Sequence, residues 1–378
     1  MPNSVHNYVQ IFNFTLRAHF GPFAGPPRDV ATADVPAAHA GRLRTRRYRG
    51  PRRPTDRFYP NNYHLLFFWW KRKLSVCISG ESTIQLPRAP PRADLLKEAK
   101  LRVYGSSLDD YAEYLLETEA DGLLRDARYI ENKPTVMYVH GYTEHADKES
   151  VRTVLSAFMA HGGYNAVFVD WSRAASEFYV IPLLLVPEVG RMVARQLDAW
   201  HEAGTLNISN VYLVGHSLGG QVAGFAGKFT TKGKVPRITA LDPALPGFSV
   251  RSLTSSHITA TDAQFVDVIH TDGGTYGVSY ATGHADFFPN GGRRLQPGCP
   301  PNSRMLSDED FCSHWRSWRF FAESMNASLP AYYGVACPSH EDFVAGRCDG
   351  NQRVVMGFNT PPRYVPEGPG IQKTILKK

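Results

Sequence analysis

Short apolar runs, each rich in Val, Ile or Leu, recur along the larger, C-terminal part of the chain. They cover residues 134–140, 165–171, 211–215, 237–241 and 264–270. Runs of five to seven residues that are apolar almost throughout are typical of strands that are buried on both faces of a sheet. The pattern therefore predicts five strands of a mostly parallel central sheet.

The segments between these runs have a helical spacing. Apolar residues step by three or four positions along residues 186–200 and again along residues 151–158, as on one face of a helix. Small residues after the run at 211–215 indicate a third helix, and residues 315–325 a fourth. Alternating strands and helices predict an α/β fold in which helices cover both faces of the sheet.

Composition changes near residue 90. Residues 1–75 carry a net charge of +10 and the remaining residues a net charge of −3, although the whole chain is at +7. The basic charge thus belongs to a Pro- and Arg-rich leader, and it does not indicate nucleic-acid binding by the domain. We predict a disordered leader over residues 1–90 and one domain over residues 91–378. A mitochondrial transit peptide or a segment that binds an acidic partner is the alternative for the leader.

The overall composition is that of a globular protein, with 43% hydrophobic and 20% charged residues. No apolar run approaches the roughly 20 residues that a spanning helix needs. The first thirty residues lack the charged start and apolar core of a signal peptide. We therefore expect no transmembrane segment in the chain and no signal peptide in its first thirty residues.

Four of the five cysteines form two closely spaced pairs. Cys299 and Cys312 are 13 residues apart, Cys337 and Cys348 are 11 apart, and Cys77 is left over. The spacing predicts two disulfides, and the chain has no Cys-x-x-Cys pattern that would indicate a zinc site. Disulfides indicate an oxidising, secreted setting. Two sequons at Asn-Ile-Ser 207–209 and Asn-Ala-Ser 326–328 agree with that setting and predict a glycoprotein.

The strongest chemical motif is Gly215-His-Ser217-Leu-Gly219. It follows a predicted strand and precedes a helix of small residues, which is the context of a nucleophile at a sharp strand-to-helix turn. The residues two before and two after the serine must be small, because the turn brings them nearly into contact, and both are glycine here. We predict Ser217 as the nucleophile of a hydrolase, against the alternative of a glycine-rich turn that happens to contain serine.

A serine nucleophile needs a base, and the base needs an orienting carboxylate. Asp242 is the first acid after Ser217 and follows the next predicted strand, so it is expected at the same rim of the sheet. Four other acids are less well placed: Asp262, Asp267, Asp272 and Asp286. The spacing alone leaves three histidines open as the base: His270, His284 and His314.

Two backbone N–H groups are expected to form an oxyanion hole. One belongs to Leu218, the residue after the nucleophile, and the other to a loop after an early strand. His-Gly-Tyr 140–142 follows the run at 134–140 directly, which predicts the Tyr142 N–H as the second donor. A tight turn at Gly141 is the plain structural alternative.

Taken together, these residues resemble the pancreatic lipase family of α/β-hydrolases over about residues 95–378. The resemblance rests on the following stretches, which occur in the family's order: YVHGY 138–142, VDW 169–171, GHSLG 215–219, ALDPA 240–244, FVDVIHTD 265–272, DFFPNGG 286–292 and CSHWRS 312–317. It implies an α/β-hydrolase fold with a Ser217–Asp242–His314 triad and an oxyanion hole at Tyr142 and Leu218. It also selects His314 over His270 and His284, and Tyr142 stands where the family usually has Phe.

The chain departs from the family in three places. The loop between Cys299 and Cys312 has only twelve residues and is polar, where full-length lipases carry a lid; residues 273–282 are short as well. Both features resemble the phospholipase A1 branch and other short-lid members. Only thirty residues follow Cys348, so we expect no C-terminal β-sandwich domain. The family's calcium loop has two aspartates where Thr259 and Asp262 stand here, so we expect no tight calcium site and no cofactor.

The resemblance and the motifs together predict a secreted serine esterase that acts on acylglycerol lipids at a membrane or emulsion surface. Triacylglycerol lipase and phospholipase A1 are the two alternatives within this class. The alternative from another class is a catalytically inactive lipid carrier on the same fold, and the complete triad argues against it.

Overall fold

One eleven-stranded sheet organises the part of the chain that the structure describes. The structure is a computed structural model that describes residues 92–248, 257–362 and 373–376. Its strands are β1 (Lys100–Tyr104), β2 (Tyr111–Leu115), β3 (Thr135–Val139), β4 (Asn165–Asp170), β5 (Val211–His216), β6 (Arg237–Leu241), β7 (Phe265–Ile269), β8 (Ala285–Pro289), β9 (Tyr333–Cys337), β10 (Arg353–Val355) and β11 (Lys373–Leu376).

Helices connect most of these strands. They are α1 (Arg92–Leu96), α2 (Ala120–Leu123), α3 (Glu149–His161), α4 (Ser172–Ala175), α5 (Val180–Glu202), α6 (Leu218–Phe229), α7 (Asp308–Ser324) and α8 (His340–Val344). Short 3₁₀ turns precede β5 at Ile208–Asn210 and β7 at Ala260–Asp262. No helix within the described ranges is both long and apolar enough to cross a bilayer.

The central strands run parallel, as the apolar pattern predicted. The sheet order is β2-β1-β4-β3-β5-β6-β7-β8-β11-β9-β10. The strands from β4 to β11 in that order pair in parallel, and the antiparallel pairs lie at the two edges. The predicted α/β-hydrolase fold class is confirmed, and all five predicted strands are present within one or two residues of their expected ends.

Helices bury both faces of the sheet, which explains why its strands are apolar throughout. On β3, Met137 and Val139 face the cluster formed with α5 and α6, while Val136 and Tyr138 face the cluster formed with α3 and α7. Burying one large apolar side chain contributes about 1.5–3 kcal/mol. The two layers therefore hold the strand ends, and the loops that follow them, in fixed positions.

Helix α7 begins earlier than the sequence pattern predicted. The pattern predicts a helix over residues 315–325, which is wrong at its start, since the helix begins at Asp308. The reason is its N-cap: the Ser307 side chain accepts a hydrogen bond from the Asp310 N–H, and three acidic residues occupy the first turn. His314 therefore lies on a rigid helix.

Both predicted disulfides are formed. The Cα atoms of Cys299 and Cys312 are 5.6 Å apart, and those of Cys337 and Cys348 are 5.7 Å apart. The first bond ties the short loop before α7 to the helix itself. Cys77 and the predicted leader lie outside the described residues.

Candidate active site

The sheet has a point where its strand order reverses. The chain passes from β3 to its neighbour β4 and then crosses back to the other side of β3, where β5 begins the run toward β8. In open α/β sheets a crevice forms outside the carboxyl ends of the strands at such a point. Gly141 and Tyr142 follow β3 there, and Ser217 follows β5.

Ser217 occupies a strained turn between β5 and α6. Its backbone has φ 56° and ψ −120°, a region that costs a non-glycine residue of order 1–3 kcal/mol. The Ser217 N–H donates to the Leu241 carbonyl at 3.0 Å, and the Ser217 carbonyl accepts from the Ala244 N–H at 3.1 Å. A Cβ atom on Gly215 would overlap the Gly219 carbonyl. The spacing of the two glycines is therefore a steric requirement of this turn.

Asp242 and His314 are in direct contact. The His314 Nδ1 atom lies 2.6 Å from Asp242 Oδ2, and both residues are buried. The other carboxylate oxygen of Asp242 accepts the N–H groups of Thr271 at 2.8 Å and Asp272 at 3.1 Å. Because a carboxylate only accepts hydrogen bonds, we assign the His314 proton to Nδ1. This leaves Nε2 free to act as a base.

The alternative acids and histidines have other partners. His270 Nε2 lies 2.7 Å from Asp286 Oδ1, and His284 Nδ1 accepts the Val266 N–H. The three remaining acids form ion pairs with basic side chains: Asp262 with Lys228, Asp267 with Arg237, and Asp272 with Arg294. Of the three histidines that the sequence left open, the structure brings only His314 into contact with Asp242.

The loop after β3 lies against the nucleophile. A Cβ atom on Gly141 would be 2.9 Å from the Ser217 Cβ atom, so only glycine fits there. The N–H of Leu218 belongs to the first turn of α6, where it has no intrahelical acceptor. Among the described residues no hydrogen bond joins the Ser217 hydroxyl to His314, whose Nδ1 atom contacts Asp242. Such bonds in hydrolases often tighten only when substrate binds.

A network of charged groups fixes the short loop beside the site. Arg294 donates to both oxygens of Asp272 at 2.7 Å and to Asp310 at 2.9 Å. Burial raises the pKa of the Asp272 carboxyl. Arg294 partly opposes this effect, and the negative charge of Asp242 adds to it. Asp310 also accepts hydrogen bonds from the loop and from the segment after β7, namely from Ser303, Leu306 and Tyr276. Sequence reasoning missed this network, because nothing in the chain marks these residues as partners.

The residues around Asp262 do not fit a calcium site. The Lys228 ammonium forms an ion pair with Asp262, and Thr259 donates to both oxygens of the same carboxylate. A cation of the chain itself therefore occupies the place that a metal would need. Elsewhere in the described ranges, no group of three His, Cys, Asp or Glu side chains could hold a metal.

Comparisons with known proteins agree with this architecture. A family model described as Lipase matches residues 90–376. Pancreatic triacylglycerol lipase of Myocastor coypus is 33% identical over 252 residues, which are 62% of this chain and 54% of that protein. Human lipoprotein lipase is 36% identical over 231 residues, 57% of this chain and 48% of that protein. The chain spans about half the length of the curated relatives it matches.

Among solved structures, this chain is similar to a putative hydrolase of the alpha/beta superfamily from Xanthomonas campestris, and the match covers 38% of this chain and 75% of that one. The identity is 15% and the TM-score 0.29. At that TM-score we draw no conclusion from the match.

Proposed function

Because the chain belongs to the lipase family, whose model matches residues 90–376, we propose that it is a serine esterase of acylglycerol lipids. The observation that carries the proposal is the 2.6 Å contact between His314 and Asp242, at the same sheet rim as the strained Ser217. A nucleophile, a base and an orienting carboxylate are the parts that acyl transfer requires.

Acylation begins at Ser217. Its Oγ atom attacks the ester carbonyl carbon while His314 Nε2 takes the hydroxyl proton. Asp242 holds the imidazole in the tautomer that has Nε2 free and stabilises the imidazolium that forms. The tetrahedral intermediate collapses when the bond to the glycerol oxygen breaks, and His314 gives its proton to that oxygen. The products of this half-reaction are an acyl-serine and a free alcohol.

The negative oxygen of the intermediate needs donors. We assign this role to the N–H groups of Leu218, the residue after the nucleophile, and of Tyr142, whose neighbour Gly141 packs against Ser217. Removing one such donor commonly costs about 10²–10³-fold in kcat. Water then attacks the acyl-serine with His314 as base, which releases the fatty acid and restores the Ser217 hydroxyl.

Phospholipase A1 activity is the second candidate, and the short loop between Cys299 and Cys312 supports it. Its residues are held by Asp310 and Arg294 rather than left free to fold over the site. A site without a large flap leaves room for a phospholipid head group.

The two disulfides support a secreted protein, and Asn207 and Asn326 of the sequons are exposed. We keep residues 91–378 as the proposed catalytic domain.

Fatty-acid release from triolein emulsion and from phosphatidylcholine liposomes, measured side by side, tests the proposal. We expect the parent protein to release fatty acid from at least one of the two lipids, and the Ser217→Ala protein to release none. Release of the sn-1 acyl chain from phosphatidylcholine, with little from triolein, would identify a phospholipase A1, and the reverse a triacylglycerol lipase. Folded protein that releases fatty acid from neither lipid would contradict the proposal and favour the carrier hypothesis.

A further inference from the structure

Glu144 lies buried in the loop between β3 and α3, and its carboxylate has three partners. Oε2 accepts the Gly141 N–H at 2.6 Å and lies 3.2 Å from His216 Nδ1. Oε1 accepts the Ser150 hydroxyl at 2.5 Å. One side chain thus joins the loop that carries Tyr142, the end of β5 just before Ser217, and the first turn of α3.

His216 carries this contact to the proposed base. Its ring centroid is 4.6 Å from that of His314, with an interplanar angle of 44°. Because the carboxylate can only accept, we assign the His216 proton to Nδ1. The buried Nε2 atom has no hydrogen-bond partner among the described residues. His216 therefore contacts both the Glu144 carboxylate and the ring of His314.

We propose that Glu144 is a positioning residue for the esterase reaction: through the Gly141 N–H it fixes the oxyanion loop, and through His216 it places a negative charge behind His314. The inference rests on the proposed function, since it assigns a role within the same site. It adds a second buried carboxylate–imidazole pair to the one formed by Asp242 and His314.

The position of Gly141 explains the first part of this role. Glu144 holds the peptide N–H one residue before Tyr142, and Gly141 itself packs against Ser217. A donor aimed at a developing charge must be held in place before the reaction to be effective. Without the Glu144 anchor, the Tyr142 N–H would sample orientations away from the oxyanion.

The charge explains the second part. Burial alone would raise the pKa of Glu144, but His216, Ser150 and the Gly141 N–H lower it to about 2, so it is ionised wherever the enzyme works. A buried negative charge near His314 favours the imidazolium that forms when Ser217 attacks. Removing that charge should therefore weaken the stabilisation of this imidazolium.

Few other charges face the two imidazoles. Tyr138 of β3 lies near enough for Glu144 and burial to raise its hydroxyl pKa. From the ends of β6 and β7, Asp242 contacts His314, and Asp272 is paired with Arg294. On α7, Asp310 lies one turn before His314 and is paired with Arg294. The Tyr276 hydroxyl donates to Asp310, and its ring lies 5.8 Å from that of His314. Glu149 of α3 pairs with Arg319 of α7 at a more exposed position. Glu144 is thus the charge whose removal can be tested while the Asp242–His314 contact stays intact.

The test measures kcat/KM against pH with a soluble p-nitrophenyl ester for Glu144→Gln and Glu144→Ala. Gln keeps an oxygen that can accept the Gly141 N–H but removes the charge. We expect the acid limb of the profile to move down by roughly half a pH unit, with a several-fold loss of kcat. Ala also releases the loop, and kcat should fall on the order of 100-fold with little change in KM.

Glu149→Gln is the matched control, because it makes the same change five residues later at an exposed position; its profile should equal that of the parent. Thermal unfolding shows whether each variant folds. If the acid limb of the Glu144→Gln profile lies at the same pH as that of the parent, the inference is wrong, whatever the change in kcat. That outcome leaves the proposed function standing as long as Ser217→Ala is inactive, so the two failures are distinguishable.

Discussion

Ser217→Ala should lower kcat for ester hydrolysis by about 10⁶-fold and leave the fold intact. Alanine keeps the Cβ atom and loses only the hydroxyl, and Ser217 is held by backbone hydrogen bonds that do not use its side chain. The mutant has no nucleophile to form the acyl-enzyme, so only the stabilisation by the oxyanion hole remains. Initial rates on a p-nitrophenyl ester and the thermal midpoint measure the two parts of this prediction.

Ser324→Ala is the control for this substitution. The Ser324 hydroxyl donates to the Phe321 carbonyl and accepts the Phe358 N–H at the far end of α7. The loss of these two hydrogen bonds should lower the free energy of unfolding, by about 1 kcal/mol for each, and leave the activity unchanged. If Ser217→Ala kept activity within about tenfold of the parent, another residue would have to be the nucleophile.

Asp242→Asn should lower kcat by about 10⁴-fold, the second largest effect we expect. The Oδ1 atom of Asp242 accepts two backbone N–H groups, from Thr271 and Asp272. In the variant the amide oxygen must keep that place, and the amide NH₂ group then faces His314. It would hold the imidazole with the proton on Nε2, so that the ring could no longer take the proton from Ser217.

Asp272→Asn separates this effect from a general loss of buried charge. Asp272 is also buried and adjacent to the site, but its carboxylate is paired with Arg294 and not with His314. We expect most of the activity to remain in Asp272→Asn, with a lower thermal midpoint because Arg294 loses a partner. Equal losses of kcat in the two variants would contradict the assignment of Asp242. The comparison uses kcat at saturating substrate and neutral pH.

The central sheet could be predicted because its strands are buried on both faces. Each predicted run is apolar for most of its length, and helices cover it from both sides. The edge strands were missed for the opposite reason: β2 is partly exposed along its length and has Glu113 at its centre. The early start of α7 was missed because an acidic segment was taken for a loop, although acidic residues stabilise the first turn of a helix.

Within the site, sequence reasoning worked where the constraint is local. The turn at Ser217 follows from two glycines within five residues, and the structure has that turn. The contact between Asp242 and His314 joins residues 72 positions apart, and so does the contact between Glu144 and His216. No spacing rule links such residues, so the sequence leaves three histidines open as the base and does not mark Glu144.

Covalent trapping with diethyl p-nitrophenyl phosphate tests the central claim most directly. An activated serine attacks the phosphorus, p-nitrophenol leaves, and a stable diethylphosphoryl-serine is left behind. We predict one adduct per chain, on the peptide that contains Ser217, formed in step with the loss of esterase activity and absent from the Asp242→Asn protein on the same timescale. Complete inhibition with Ser217 unmodified, or with the adduct on another residue, would contradict the account.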